Sequence, residues 1–263
     1  MVDSISKTAV TAELAAAVVH DSFGDRVALA AMTECPEGWF NAAHVLTLSD
    51  GQRCVLKVAP PPGVTVLTYE HDIMATEVAA LRMIRERTSL PVPDVLWYDT
   101  SCRHVPSELF LMSFMPGKLL SELRPSMSTE QQRVVDAQLA RHLREMNALT
   151  NDTFGLQAPS APQFARWSEA FTRLIDDLLD DGEAASVVLP VSSESIRALV
   201  RACADELDEV EMPSFVHWDL WDTNVFVDPD SLQVMGLIDF ERALWADPLM
   251  EGQFLYRRGD AAF

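Results

Sequence analysis

Cysteine and glycine are scarce in this chain of 263 residues, at 4 and 10. Cys35, Cys54, Cys102 and Cys203 are scattered without Cys-x-x-Cys spacing. That excludes a disulfide framework and a zinc site built on paired thiolates, and it leaves reduced thiols. Long apolar runs are missing too: none approaches the roughly 20 residues of a membrane span, so no membrane partner is expected. The opening residues, Met1 to Lys7, have neither the basic start nor the apolar core of a secretory signal, which points to a cytoplasmic protein. Basic residues are outnumbered, 20 Lys and Arg against 40 Asp and Glu, for a net charge of −20. Such a surface repels phosphates over most of its area, so nucleic acid is not an expected partner. It suits a cationic small molecule, with plain solubility as the equally weighted alternative. There is no internal repeat or low-complexity tract. A hydrophobic fraction of 48% is enough for a sizeable core, and residues 1–263 read as a single domain.

The most informative segment is His217-Trp218-Asp219-Leu220-Trp221-Asp222-Thr223-Asn224, followed by Ile238-Asp239-Phe240-Glu241. His-x-Asp-x-x-x-x-Asn is the spacing of a kinase catalytic loop, in which the Asp faces an attacking hydroxyl and the Asn reaches Mg²⁺. In-line phosphoryl transfer needs a carboxylate beside the nucleophile and oxygen ligands on the phosphate side, and one short loop presents both. Ser214-Phe215-Val216 and Val225-Phe226-Val227 read as strands gripping the loop, and Val234 to Ile238 as a strand delivering Asp239. A hairpin whose Asp and Asn merely satisfy turn backbone does not require the second Asp, fifteen residues after Asn224.

This reading demands a phosphate-binding lysine on an early strand. In Cys54-Val55-Leu56-Lys57-Val58-Ala59 the lysine interrupts an apolar, β-prone run, which is costly unless its ammonium meets a partner. An edge-strand lysine pointing to solvent is the plainer alternative. The stretch Thr76 to Arg87 puts Glu77, Leu81 and Ile84 on one helix face, so Glu77 lies on the apolar stripe and is the first choice as partner of Lys57. Glu70, seven residues earlier on the same face if the helix reaches that far, is the runner-up. Glu108 to Gly117 reads as a buried strand running into a Pro-Gly turn.

In this order the parts resemble the aminoglycoside phosphotransferase and choline kinase-like family, which shares the protein kinase fold. The resemblance spans roughly Glu34 to the C-terminus. It implies an α+β, two-lobed protein kinase-like fold, with a small N-lobe built on an antiparallel sheet (1–112) and a mostly helical C-lobe (113–263). It implies ATP and Mg²⁺ as cofactors, Asp219 as the catalytic Asp, Asn224 and Asp239 as metal ligands, and Lys57 as the phosphate-binding lysine. Backbone groups from Met112 to Phe114 would meet adenine. The implied activity is transfer of the ATP γ-phosphoryl group to a hydroxyl of a small molecule. A cationic, aminoglycoside-like antibiotic is the favoured acceptor, and choline or an amino sugar the alternative. Asp247-Pro248 matches an Asp-Pro common in the family and reads as a helix cap; Glu251 stands where relatives are often acidic.

Departures from the family pattern are informative. Trp218 stands where many relatives have Gly, and is read as packing inward more readily than stacking on a substrate. Glu241 replaces the Gly that gives protein kinases a mobile switch. The candidate nucleotide-covering loop, Cys35 to Asn41, has one Gly instead of a triplet. Family members usually continue for some tens of residues beyond the Asp-Pro helix, whereas this chain stops at Phe263, after Phe254 to Ala262. The nucleotide site is therefore expected to be more complete than the acceptor site.

Two other classes are weighed against the kinase. A nucleotide-binding scaffold would bind Mg-ATP without forming product. A metal-dependent phosphohydrolase would use His217 and Asp219 as ligands, but His20, His44, His71, His104 and His142 supply no further cluster.

The remaining helices are expected near Ala9 to Val19, Ser128 to Leu149 with a Ser128/Gln131 capping box, Trp167 to Asp181, and Ser193 to Val210. The acidic run Asp176 to Glu183 ends the third of these against its macrodipole. It is read as a solvated end, with service to a substrate as the alternative.

Overall fold

The computed structural model describes residues 7–35 and 40–252. Pro36 to Trp39, in the candidate nucleotide-covering loop, and the segment Phe254 to Ala262 lie outside the described residues. Contacts divide the chain into two compact units: residues up to Thr65 with Val92–Pro116, and Val66–Pro91 with everything from Gly117 onward.

The first unit is a sheet with one helix on it. Thr11 caps helix α1 (Ala12–Phe23) by accepting the Leu14 N–H. Strands β1 (Leu29–Glu34), β2 (Ala42–Leu48), β3 (Arg53–Val58), β4 (Val95–Asp99) and β5 (Leu109–Ser113) form an antiparallel sheet in the order β1-β2-β3-β5-β4. Along β2 every second residue is buried, as expected of a strand with one face on a core. That core joins Ala15, Val18 and Val19 of α1 to Leu46, Leu56, Leu109 and Leu111. Lys57 sits on the central strand, opposite Ala43 and Phe110, with 6% of its surface exposed. This position excludes the solvent-pointing edge lysine.

The second unit starts with a tight turn. Asp72 adopts φ +57°, so the helical path breaks before α2 (Ile73–Arg87) and Glu70 belongs to the separate turn Thr68–Glu70. Glu77, Leu81 and Ile84 form the buried stripe of α2. The sequence-based division at 112/113 thus differs from the contacts in two ways. The chain changes unit at Pro116/Gly117, and α2 groups with the second unit because it packs on the turn Phe240–Arg242 and because Pro91 O accepts the Leu237 N–H at 2.8 Å.

Beyond Gly117 come β6 (Lys118–Leu119), α3 (Leu120–Leu123), α4 (Thr129–Asn147), β7 (Gly155–Leu156), α5 (Trp167–Ala184), α6 (Ser193–Ala202) and α7 (Ala204–Leu207). The last four strands are β8 (Ser214–Val216), β9 (Val225–Val227), β10 (Val234–Leu237) and β11 (Leu244–Ala246). Two three-stranded sheets, β10-β9-β6 and β7-β11-β8, carry the loops of interest. Gly117 is needed at its position: φ is +101°, and a Cβ there would meet Val227 O at 2.7 Å. Both bonds of the Ser128/Gln131 capping box are made. The helix expected over Ser193 to Val210 breaks at Cys203 into α6 and α7. Among the described residues no helix is long and apolar enough to cross a membrane.

Candidate active site

Three buried residues of β8 lead into His217, which is completely enclosed. The Asp219 N–H donates to His217 Nδ1 at 3.2 Å, so that nitrogen carries no proton and Nε2–H is the end that donates to Ile238 O at 3.0 Å. His217 is thus a neutral strut between the Asp219 turn and the strand that delivers Asp239. Trp218, next to it, adopts φ +61°, a left-handed conformation that costs a bulky residue about 1–3 kcal/mol. The turn is held by contacts. Glu251 accepts the N–H groups of His217 (2.6 Å) and Trp218 (3.3 Å) on its two oxygens, and the Trp218 ring packs edge-on against Tyr69 with centroids 5.3 Å apart. Glu251 is itself buried, which lifts its carboxyl to about 7.

Asp219 emerges from this turn almost buried, at 9% exposure. Its Oδ1 accepts Trp221 Nε1–H at 2.5 Å and lies 3.7 Å from Arg242 Nη1. Burial raises its carboxyl to about 6, partly offset by the Arg242 charge and the Trp221 bond. The guanidinium of Arg242 also lies 3.6 Å from Glu70 and over the Tyr69 ring. The runner-up Glu70 is therefore engaged locally, with Arg242 and with the Leu67 N–H.

The amide of Asn224 donates to Asp219 O at 2.8 Å, which turns its own oxygen the other way. Its backbone is tied to the next strand, Ile238 N–H to Asn224 O at 3.0 Å. Arg124 grips the loop from outside, bonding Asp222 at 2.5 Å and Asp136 at 2.8 Å. Asp239 adopts φ +72° and opens the Phe240–Arg242 turn. One oxygen each from Glu77, Asp239 and Glu241 falls within 4.8 Å of the others. Carboxylate oxygens converging in this way, with an amide oxygen on the neighbouring loop, make a donor set that fits a hard divalent cation such as Mg²⁺.

The second unit thus brings Asp219, Asn224, Asp239 and Glu77 into one neighbourhood, with Glu77 beside Asp239. Lys57, Met112 and Phe114 belong to the first unit. There Met112 is buried within β5, the Ser113 N–H is taken by Asp94 O at 2.9 Å, and the Arg53 guanidinium lies 3.7 Å from the centre of the Phe114 ring. Sequence reasoning missed the roles of Tyr69, Trp221, Arg242 and Glu251. The available signals were Glu241-Arg242, two charges directly after a strand-borne Asp-Phe, and the acidic position of Glu251 after Asp247-Pro248. Asp247 accepts the Leu249 N–H at 2.9 Å as a cap, over a short 3₁₀ turn.

A model of the phosphotransferase enzyme family matches residues 31–262. The chain belongs to that family. Its fold is the α+β fold of the protein kinase-like enzymes. It is similar to a thermostable mutant of the aminoglycoside phosphotransferase APH(4)-Ia, at 20% identity and a TM-score of 0.65, covering 94% of this chain and 78% of that one. A protein from Thermobifida fusca assigned as a fructosamine-3-kinase matches at 17% identity and a TM-score of 0.67, covering 92% of this chain and 77% of that one. At these identities the likeness is one of fold. An Arabidopsis thaliana protein assigned as the acyl-CoA dehydrogenase IBR3 is 24% identical over 213 residues, 78% of this chain and 25% of its own length. The chain spans between 19% and 25% of the length of the curated relatives it matches.

Proposed function

We propose that this phosphotransferase moves the γ-phosphoryl group of ATP to a hydroxyl of a small molecule, with Asp219 as the catalytic base. The observation that carries the reading is the state of that carboxylate: it lies almost buried beside Arg242, Oδ1 is held by Trp221, and burial has raised its pKa to about 6. Near neutral pH it is mostly ionised yet basic enough to take a proton as the hydroxyl oxygen attacks phosphorus. The new O–P bond forms as the bond to the leaving diphosphate oxygen breaks, and ADP departs with that electron pair. Asn224 and Asp239 are the residues that would hold Mg²⁺, whose chemistry is to neutralise charge on phosphate oxygens. Lys57 and Glu77 serve the phosphate side in this reading, and Met112 to Phe114 the base. His217, with both ring nitrogens engaged, positions the turn and takes no proton. ATP as donor is supported by a family neighbour solved with ADP and hygromycin B.

A cationic, aminoglycoside-like acceptor is the finer reading. It rests on the net charge of −20 and on the names of the structural neighbours. Choline and amino sugars are the alternatives. The test is mass spectrometry of the purified protein with Mg-ATP and a mixed panel of aminoglycosides, choline and amino sugars. One acceptor gaining a single phosphoryl group with wild type and not with Asp219→Ala is the expected result. Full activity in Asp219→Ala removes Asp219 from its role, and nucleotide binding with no product on any acceptor favours a scaffold.

A further inference from the structure

Trp221 touches both ends of the catalytic loop. Its indole Nε1–H donates to Asp219 Oδ1 at 2.5 Å, its backbone N–H donates to Asp219 O at 3.0 Å, and its own carbonyl accepts the Asn224 N–H at 3.0 Å. The Asn224 amide closes the ring by donating to Asp219 O at 2.8 Å. Leu220, between Asp219 and Trp221, is buried with 6% of its surface exposed. The chain turns about it, and the side chains of Asp219 and Trp221 meet. The carboxylate and the amide proposed to face Mg²⁺ are therefore fastened to each other through one residue.

The chemistry of the donor suits this task. An indole N–H only donates: it offers no acceptor and carries no charge. An arginine or lysine at the same distance would form a charge-assisted bond, which ties up a carboxylate more strongly and makes it a poorer base. Arg242, the cation beside the same oxygen, stands back at 3.7 Å, beyond hydrogen-bonding distance. The indole is also stiff, so ordering it costs little entropy. A half-buried tryptophan that merely fills space would turn its N–H to solvent, whereas this one directs it at the carboxylate.

We propose that Trp221 is a positioning residue for phosphoryl transfer: its indole N–H sets the orientation of the Asp219 carboxylate and holds it at a fixed place relative to Asn224. The inference rests on the reading of Asp219 as the base. The bond itself is testable without an acceptor.

The first arm of the experiment is ¹H–¹⁵N spectroscopy of the full chain at a fixed pH. Its 6 tryptophans give separate indole signals, and the one lost in Trp221→Phe belongs to Trp221. A carboxylate partner draws that proton downfield, so Asp219→Asn should move the signal upfield. A signal that stays in place overturns the inference. The second arm is initial rates of phosphorylated product with Mg-ATP and the acceptor found in the panel above, or of ADP formation with water as acceptor where none is found. Trp221→Phe keeps a ring and loses the N–H. It should lower kcat about 10- to 100-fold with the KM for ATP at the wild-type value, and a melting curve shows that the variant is folded. The double variant Asp219→Ala with Trp221→Phe should be no slower than Asp219→Ala alone, because residues that act as a unit do not lose rate independently. Full rate in Trp221→Phe, or losses that multiply in the double variant, overturns the inference and leaves Asp219 assigned. Full rate in Asp219→Ala, or no turnover in wild type, removes the base and the inference together.

Discussion

The sheet of the first unit and the catalytic turn of the second solve the same problem, a charged side chain held in a buried place, by opposite means. Lys57 is carried by regular backbone: β3 is the central strand of five, its neighbours are in register, and the lysine is the exception in an apolar run. Asp219 is carried by irregular backbone, between Trp218 at φ +61° and a 3₁₀ turn, with Glu251, His217, Trp221 and Arg124 each holding one part. A sheet positions a group through many equivalent bonds, so no single one is critical. A strained turn depends on a few particular ones, and each becomes a point of failure.

Four substitutions break or sharpen this contrast. Asp219→Asn should lower transfer by about 10²- to 10⁴-fold, the range for loss of a general base, as read by initial rates of product formation. It should also melt higher than wild type at pH 8, by roughly 1–2 kcal/mol. The sign follows from the raised pKa: a carboxyl at about 6 when folded and near the ordinary value when unfolded stabilises the fold below the latter, and loses that contribution as pH rises through about 6. The gain of the Asn variant should therefore shrink as pH falls from 7 to 4, and wild-type kcat/KM should drop over the acid side of pH 6. An unchanged melting curve at both ends would mean that Asp219 is solvated.

Lys57→Met should cut transfer about 10²-fold while the far-ultraviolet circular dichroism spectrum keeps its shape, since the strand is held by its neighbours. Retained activity would remove Lys57 from the phosphate side. Glu251→Ala should do both kinds of damage: about tenfold in kcat from a displaced Asp219, and about 2–4 kcal/mol of stability from two buried N–H groups left without an acceptor. A variant that loses stability and keeps kcat would show that the turn holds its shape alone. Gly117→Ala should cost about 1–3 kcal/mol, because the left-handed φ and the Val227 carbonyl leave a Cβ no room. Its kcat per folded molecule should stay at the wild-type value, with denaturant midpoints giving the stability term.

The parts legible in the sequence are those whose chemistry needs fixed spacing or fixed period. His-x-Asp-x-x-x-x-Asn is readable because one loop must present a base and a metal ligand together. The β3 lysine shows as a charge inside a strand pattern, and α4 shows through its capping box and stripe. Glu77 was legible as a carboxylate on an apolar face, but its closeness to Asp239 and Glu241 was not, because no periodicity links α2 to a turn far along the chain. Arg242 and Tyr69 escaped for the same reason. Glu70 would have joined the α2 face only if the helix reached back to it, and Asp72 at φ +57° breaks the helix first.

Local order and chemical class therefore came from the amino-acid sequence itself: the strand that carries Lys57, the helix face that carries Glu77, and the loop that pairs Asp219 with Asn224 are written in spacings of a few residues. Tertiary structure alone decided the raised pKa of Asp219 and the buried Glu251 under the Trp218 turn. Burial and convergence are properties of segments far apart in the chain, and a carboxylate acquires a pKa near 6 only when the fold has taken its water away.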